Sequence, residues 1–370
     1  MRKLSFSIYV VIYTLLFCID TQVAFASQIF IKENPRYHGP QIKYVNGRYF
    51  NPEEYGGSDR RYLVDGFKIF LQTFHRRSKD FFDGVSDRSN WYQPAIPSLS
   101  SVIPKITWIG HSSFLIQLNG INILTDPVFN DLFKIYYTRT FPPGISYKNL
   151  ANKINVILIS HNHKDHFEKK TMKKLLTLNP QPLLLVPQGL KKWFLNLGYN
   201  NDRIFEFDWG NEIHSVANSP VNITFLPAKH TSSMLGLDIN KSAWGSWLIE
   251  NSKIKIFFAG DTGDSAHFQE IAKSIGKIDV AIMPIAPNKP RKLMEKVCHI
   301  NTEDSASAGF ITLDAKWFIP MHWGTFKLGS DKFIEPITRL EKWFNSNQYR
   351  LPNKNLVILP IGGIWKFYQN

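Results

Sequence analysis

Short apolar runs separated by turn residues set the pattern of this chain from Lys105 onward. Lys105–Ile109 leads into Gly110-His111, and Ser113–Leu118 is joined to Ile121–Leu124 by Asn119-Gly120. Asn-Gly between two such runs predicts a tight β-hairpin, because both residues tolerate the positive φ the turn demands. Val156–Ile159 and Leu183–Val186 are wholly apolar and have the length of buried strands. Val221–Leu226, Ser246–Glu250, Ile254–Ala259, Val280–Pro284, Trp317–Pro320 and Leu356–Pro360 are further predicted strands. Helical patterns run over Thr171–Leu178, Lys191–Leu197 and Phe268–Ile275, with Gly198 and Gly276 just past the last two. Hairpins first, then strands alternating with helices, predict an α/β fold of sheets packed together with helices outside.

The N-terminal region departs from this pattern. Arg2 and Lys3 precede an apolar stretch from about Ile8 to Ile19, and Ala24-Phe25-Ala26 sets small residues before Ser27. This predicts a cleaved secretory signal over residues 1–26, with the mature protein secreted across the inner membrane to a periplasmic or envelope-associated location. The alternative, a membrane anchor, requires roughly 20 apolar residues, and the run is shorter. Residues 27–100 are rich in Tyr, Arg, Asn and Gly, with one helical stretch around Leu63–Arg76. They predict an extension packed on a main domain of residues 101–370.

Composition narrows the partners. The 370 residues are 44% hydrophobic, enough for a large core. Lys and Arg exceed Asp and Glu by 44 to 30, a net +14, which favours anionic partners such as a phospholipid, another phosphodiester or the surface of an anionic membrane. The lysines form no long block, so a solvated basic surface accounts for the same count. No Walker loop, zinc finger or base-reading module is present, and no specific nucleic acid partner is expected. Of two cysteines, Cys18 falls in the signal segment, leaving Cys298 without an internal disulfide partner.

The chemistry is concentrated in Ser160-His161-Asn162-His163-Lys164-Asp165-His166, directly after the apolar run Val156–Ile159. His161 and His163, two apart, point the same way in extended backbone, while Asp165 and His166 follow at a turn and can face a second point. Imidazoles and a carboxylate gathered at a strand end suit Zn²⁺, and also Mn²⁺ or Fe²⁺. His230, Asp261 and His322 each stand just past another predicted strand. Alone, each is an ordinary turn residue; together with the first cluster they form an ordered series of candidate ligands. Asp126 is either a carboxylate that orients a ligating His or a strand-end turn residue. His111 and His299 either point into the site or pack and cap. Thr302 is the expected N-cap of a helix carrying Glu303 and Asp304 in its first turn. Leu132–Tyr147 interleaves Phe133, Tyr136, Tyr137, Phe141 and Tyr147 with Lys134 and Arg139, as a packed loop or as a lipid-binding groove.

His-x-His-x-Asp-His, a distant His, Gly260-Asp261-Thr262-Gly263 and His322-Trp323-Gly324 resemble the metallo-β-lactamase superfamily. Trp108-Ile109-Gly110-His111, Leu124-Thr125-Asp126-Pro127, Phe141-Pro142-Pro143-Gly144, Trp244-Gly245-Ser246-Trp247 and Met321–Phe326 are similar to its N-acylphosphatidylethanolamine-hydrolysing phospholipase D branch, over roughly Ile103 to Ile337. The resemblance implies a four-layer αββα sandwich with an N-terminal extension. It implies two Zn²⁺ per chain: one on His161, His163 and His230, a second on Asp165, His166 and His322, with Asp261 bridging and a shared hydroxide as nucleophile. Asp165 and Asp261 act in catalysis through the metals, and His299 is the candidate donor of a proton to the leaving group. The implied reaction is phospholipase D-type hydrolysis of a glycerophospholipid such as N-acylphosphatidylethanolamine. Lactone or small-ester hydrolysis, and a non-catalytic metal-binding envelope protein, stand as alternatives. A homodimer is compatible with all of these.

Overall fold

The structure is a computed structural model that describes residues 30–56, 79–82, 85–132, 137–234, 236, 238–296 and 298–368. The signal segment, the helix expected around residues 63–76, and Phe133, Lys134 and Tyr136 lie outside the described residues.

The described course begins with β1 (Ile31–Glu33) and a small hairpin of β2 (Lys43–Val45) and β3 (Arg48–Phe50). Next come β4 (Lys105–Gly110), β5 (Ser113–Leu118) and β6 (Ile121–Thr125). The Asn119-Gly120 turn forms as expected: both residues have positive φ, 47° and 83°, and Leu118 faces Ile121 across the pair. From here strands and helices alternate: α1 (Tyr147–Leu150), β7 (Val156–Leu158), α2 (Lys169–Leu178), β8 (Leu183–Pro187), α3 (Lys191–Leu195) and β9 (Ile204–Phe207). The chain then builds β10 (Asn211–Ile213), β11 (Asn222–Leu226), β12 (Ser246–Glu250) and β13 (Lys255–Phe258). The last stretch holds α4 (His267–Ile275), β14 (Val280–Pro284), α5 (Arg291–Lys296), α6 (Thr302–Ser307), β15 (Trp317–Met321), α7 (Glu335–Ser346), β16 (Asn355–Leu356) and β17 (Ile364–Lys366).

These strands form two large sheets, ordered β17-β4-β5-β6-β7-β8-β9 and β1-β10-β11-β12-β13-β14-β15-β16. Each combines antiparallel hairpins with a parallel half, β6 to β9 in one and β13 to β16 in the other. Every residue of β5, β6, β7, β8, β12 and β14 is buried, and the parallel strands β7, β8 and β14, covered on both faces, run apolar without alternation for that reason. Amphipathic helices cover the sheets; α4 buries Phe268, Ile271 and Ile275 and stops where Gly276 takes φ 75°. The architecture is the αββα sandwich with an N-terminal extension.

The pattern left several elements unseen. The strands β1, β2, β3, β9, β10 and β17 are three or four residues long, too short for a periodic signal. Leu356–Pro360 pairs only through Asn355–Leu356, and the edge beside β4 is taken by β17 instead. The extension joins the sandwich directly, since Ile31 pairs with Ile213. The N-cap of α6 is Asn301, whose side chain accepts the Asp304 N–H; Thr302 is the first helical residue and donates its hydroxyl to the Ile285 carbonyl. Phe141-Pro142-Pro143-Gly144 is a packing device: a Cβ on Gly144 would sit 2.3 Å from the Gly362 nitrogen and 2.8 Å from the Trp108 oxygen. In the aromatic segment, Phe141 stacks on Tyr92 with centroids 5.7 Å apart, Tyr147 packs on Phe129, and Tyr137 packs against Val128, Leu132 and Phe326. The described part of that segment is therefore a packed loop, not a groove.

Candidate metal centre

The parallel strands β7, β13 and β15 all deliver their C-terminal ends to one place, and chemistry gathers in the loops beyond such ends. Past β7, the backbone N–H groups of His166 and Phe167 both donate to the His163 carbonyl, so the chain turns and sends Asp165 and His166 away from His161 and His163. Past β13, Gly260 takes φ 60°, and a Cβ there would lie 2.7 Å from the Ser160 Cβ. Only glycine allows the Asp261 loop to come this close. Past β15, His322 adopts φ 63°, with its N–H on the His111 carbonyl at 3.3 Å. His230 arrives from the end of β11, and Asn51 of the extension holds both its N–H and its carbonyl, at 3.2 and 2.9 Å.

Two donor groups result. In the first, His161 Nε2 and His230 Nε2 lie 2.9 and 3.1 Å from His163 Nδ1. In the second, His322 Nε2 is 3.4 Å from Asp165 Oδ2 and 3.1 Å from Asp261 Oδ2, while His166 Nε2 is 3.7 Å from Asp165 Oδ2 and 3.3 Å from Asp261 Oδ1. Asp261 Oδ2 also lies 3.8 Å from His230 Nε2, so this carboxylate spans both groups. The structure thus brings together all seven residues singled out as ligands.

The donor set fits divalent metal. Nitrogens at ~2.0–2.1 Å from a tetrahedral ion stand about 3.3 Å apart, close to these spacings. His166 Nε2, His322 Nε2 and Asp261 Oδ1 are buried without a hydrogen-bond partner, as the ligand atoms of a cation would be; against the effect of burial, Asp261 and Asp165 raise both imidazoles above the ordinary histidine range, a positive charge that a bound cation would supply instead. Burial, with neighbouring imidazoles, drives His161 and His230 well below the ordinary histidine range, which leaves them neutral. Burial works against ionisation of Asp261, but His166 and His322 prevail and hold it well below the usual carboxylate range.

The far nitrogens are held in turn. His166 Nδ1 meets Asp126 Oδ2 at 2.8 Å, and His161 Nδ1 meets the Ser160 hydroxyl at 2.9 Å. His230 Nδ1 faces the Cys298 carbonyl at 3.2 Å and His322 Nδ1 the Ala286 carbonyl at 2.9 Å. Such contacts fix the tautomer and aim the other nitrogen inward. Asp126 both orients His166 and turns the strand end, with φ 32°. His111 reaches Asp165 Oδ2 at 3.0 Å through Nε2, and His299 Nδ1 stands 3.7 Å from Asp261 Oδ2. Sequence reasoning missed Ser160, Asn51 and the two carbonyls. Backbone carbonyls carry no residue-type signal, and Asn51 is remote in sequence from His230.

A fold of this kind with two carboxylate-spanned donor groups defines a metal-dependent hydrolase. A family model of the beta-lactamase superfamily domain matches residues 121–323. The chain is 30% identical over 341 residues to the N-acyl-phosphatidylethanolamine-hydrolyzing phospholipase D 1 of Caenorhabditis elegans, covering 87% of this chain and 93% of that protein. It is 34% identical over 242 residues to the mitochondrial N-acyl-phosphatidylethanolamine-hydrolyzing phospholipase D of Saccharomyces cerevisiae, covering 64% of this chain and 50% of that protein. Among solved structures, a metallo hydrolase from Ignicoccus hospitalis is similar in fold, with TM-score 0.54, 20% identity, and 72% of this chain and 99% of that chain covered. The chain belongs to the metallo-β-lactamase superfamily, in the branch similar to these phospholipases D.

Proposed function

We propose that the protein is a phospholipase D-type phosphodiesterase acting on N-acylphosphatidylethanolamine-like glycerophospholipids. The observation that carries this reading is the pair of donor groups spanned by Asp261, in a chain whose similarity to the nematode phospholipase runs through 93% of that protein. His161, His163 and His230 would hold one divalent ion, Asp165, His166 and His322 a second, and Asp261 both; zinc suits the donors best. Such ions supply Lewis-acid chemistry, drawing charge from a phosphoryl oxygen and making water more acidic. The carboxylates and neutral imidazoles fix this constellation before substrate arrives, so little reorganisation is needed during reaction.

In the reaction, water adds its oxygen to phosphorus and the bond from phosphorus to the headgroup oxygen breaks. The displaced oxygen takes a proton, leaving phosphatidic acid and an N-acylethanolamine. His299, about a sixth exposed with its Nδ1 3.7 Å from Asp261 Oδ2, is our candidate donor of that proton. The net charge of +14 favours approach to an anionic membrane surface, at about 1 kcal/mol for each well-placed Lys or Arg. Mass-spectrometric product analysis with a mixed lipid extract tests the reading: phosphatidic acid and N-acylethanolamine are expected. Lactone hydrolysis without lipid cleavage would refute the phospholipase and leave the hydrolase. Export is part of the same proposal; N-terminal sequencing of envelope-fraction protein is expected to begin at Ser27, and an intact Met1 would refute it.

A further inference from the structure

His111 stands just past β4 and is wholly buried against the second donor group. It takes φ 55°, a left-handed conformation that few residues other than glycine adopt. Three hydrogen bonds hold it there. Its N–H donates to Thr325 Oγ1 at 2.6 Å, and its carbonyl accepts from the Trp108 indole at 2.9 Å and the His322 N–H at 3.3 Å. The ring lies 3.9 Å from the His322 ring and 5.2 Å from that of Phe326, centroid to centroid. Its Nε2 is 3.0 Å from Asp165 Oδ2, the same oxygen that faces His322 Nε2 at 3.4 Å and His166 Nε2 at 3.7 Å. By distance alone His111 is a third imidazole of the second donor group. Its other nitrogen distinguishes it. The ligand candidates that turn Nε2 inward all have a partner on Nδ1: Asp126 for His166, Ser160 for His161, and the Cys298 and Ala286 carbonyls for His230 and His322. His111 Nδ1 is buried and hydrogen-bonded to no protein group.

We propose that His111 is not a ligand but the positioning residue of the second ion: it donates its Nε2–H to Asp165 Oδ2 and so aims that oxygen at the metal. A ligating Nε2 would need the ring proton on Nδ1, where a buried donor would have nothing to receive it. With the proton on Nε2 instead, the donor meets a carboxylate in a charge-assisted hydrogen bond, and only an acceptor is left unpaired. A carboxylate oxygen has two lone pairs, so Oδ2 can accept from His111 and still face the ion. The left-handed backbone and the two flanking rings fix the direction of the donor, and Asp165 is therefore held in place before metal arrives. This role rests on the two-ion reading of the site and concerns one ion only.

The test uses the zinc-loaded full chain and two variants, His111→Gln and His111→Met. Both new side chains are unbranched and alike in length, and both meet the same backbone penalty at φ 55°, so packing and strain affect them equally. Only Gln carries an N–H donor to replace Nε2–H. Competition with a chromophoric chelator is expected to show two ions at close to wild-type affinity in His111→Gln. In His111→Met one ion should be weakened about 10–100-fold, the usual loss when a partner that orients a ligand is removed, with the other unchanged. Equal affinities in the two variants would overturn the proposal. NMR of the zinc-loaded wild type with labelled histidine nitrogens reads the tautomer and decides the matter even if neither variant folds. A proton on His111 Nε2 is expected; a proton on Nδ1 would make the residue a ligand and overturn the proposal. A wild type that holds fewer than two ions refutes the two-ion reading, and this role with it. Two ions with no difference between the variants refutes the role of His111 alone.

Discussion

Asp126→Asn tests whether the second donor group is organised from behind. The Asp126 carboxylate is fully buried and accepts from the Ser160 N–H at 2.7 Å, the Ser160 hydroxyl at 2.5 Å and His166 Nδ1 at 2.8 Å. The Ser160 N–H can only donate, so the variant's amide oxygen stays opposite it and the new Nδ2 faces His166 Nδ1. His166 must then either lose this hydrogen bond or shift its proton to Nε2, the nitrogen that points between Asp165 and Asp261. A lost or inverted hydrogen bond of this kind costs about 1–3 kcal/mol. That agrees with the roughly 10–100-fold loss of metal affinity seen when such orienting partners are removed. The group of His161, His163 and His230 is touched only through the Ser160 hydroxyl, so its ion should be held much as before. Zinc titration against a chromophoric chelator is expected to show one tight and one weakened ion, with activity following the weakened one. Two ions bound with wild-type affinity, or equal weakening of both, would refute the reasoning.

Three further outcomes follow from the same structure. His163→Ala should deplete mainly the first ion, and Asp261→Ala should lower the metal content further because that carboxylate spans both groups; elemental analysis checks both. Gly144→Ala should destabilise by about 1–3 kcal/mol, read by calorimetry as a lower Tm, because the new methyl meets backbone that cannot move aside. Burial first, with help from Glu335, pushes Asp331 up to about 6 against the pull of the Asn288 N–H, the Lys289 N–H and the Lys289 charge. Its contribution to stability is therefore full below 3.8 and lost as pH rises through about 6, at a cost of roughly 2–3 kcal/mol by pH 7.5. Asp331→Asn should accordingly melt higher than wild type at pH 7.5 and show little difference at pH 3.5.

The ligand set was legible in the sequence because its densest part is local. His161, His163, Asp165 and His166 fall within six residues after an apolar strand, and His230, Asp261 and His322 repeat the same position past later strands. Strand and helix periodicity, together with Asn119-Gly120, also gave the main elements of the sandwich, because hydrophobic patterning is written in consecutive residues. Short strands such as β9, β10 and β17 carry too few residues to show a period; their pairing partners define them. The rest of the site depended on contacts between remote segments. Only the folded chain sets Asn51 on both sides of the His230 peptide, turns the Cys298 and Ala286 carbonyls toward ring nitrogens, and points His111 at Asp165. Sequence determined which side chains could bind metal. Tertiary structure decided which of their nitrogens face inward, because that choice is made by contacts with residues as far as 68 positions away. It also decided that Phe81, Trp323 and Asp331 line one cleft, since segments remote in sequence meet there only on folding.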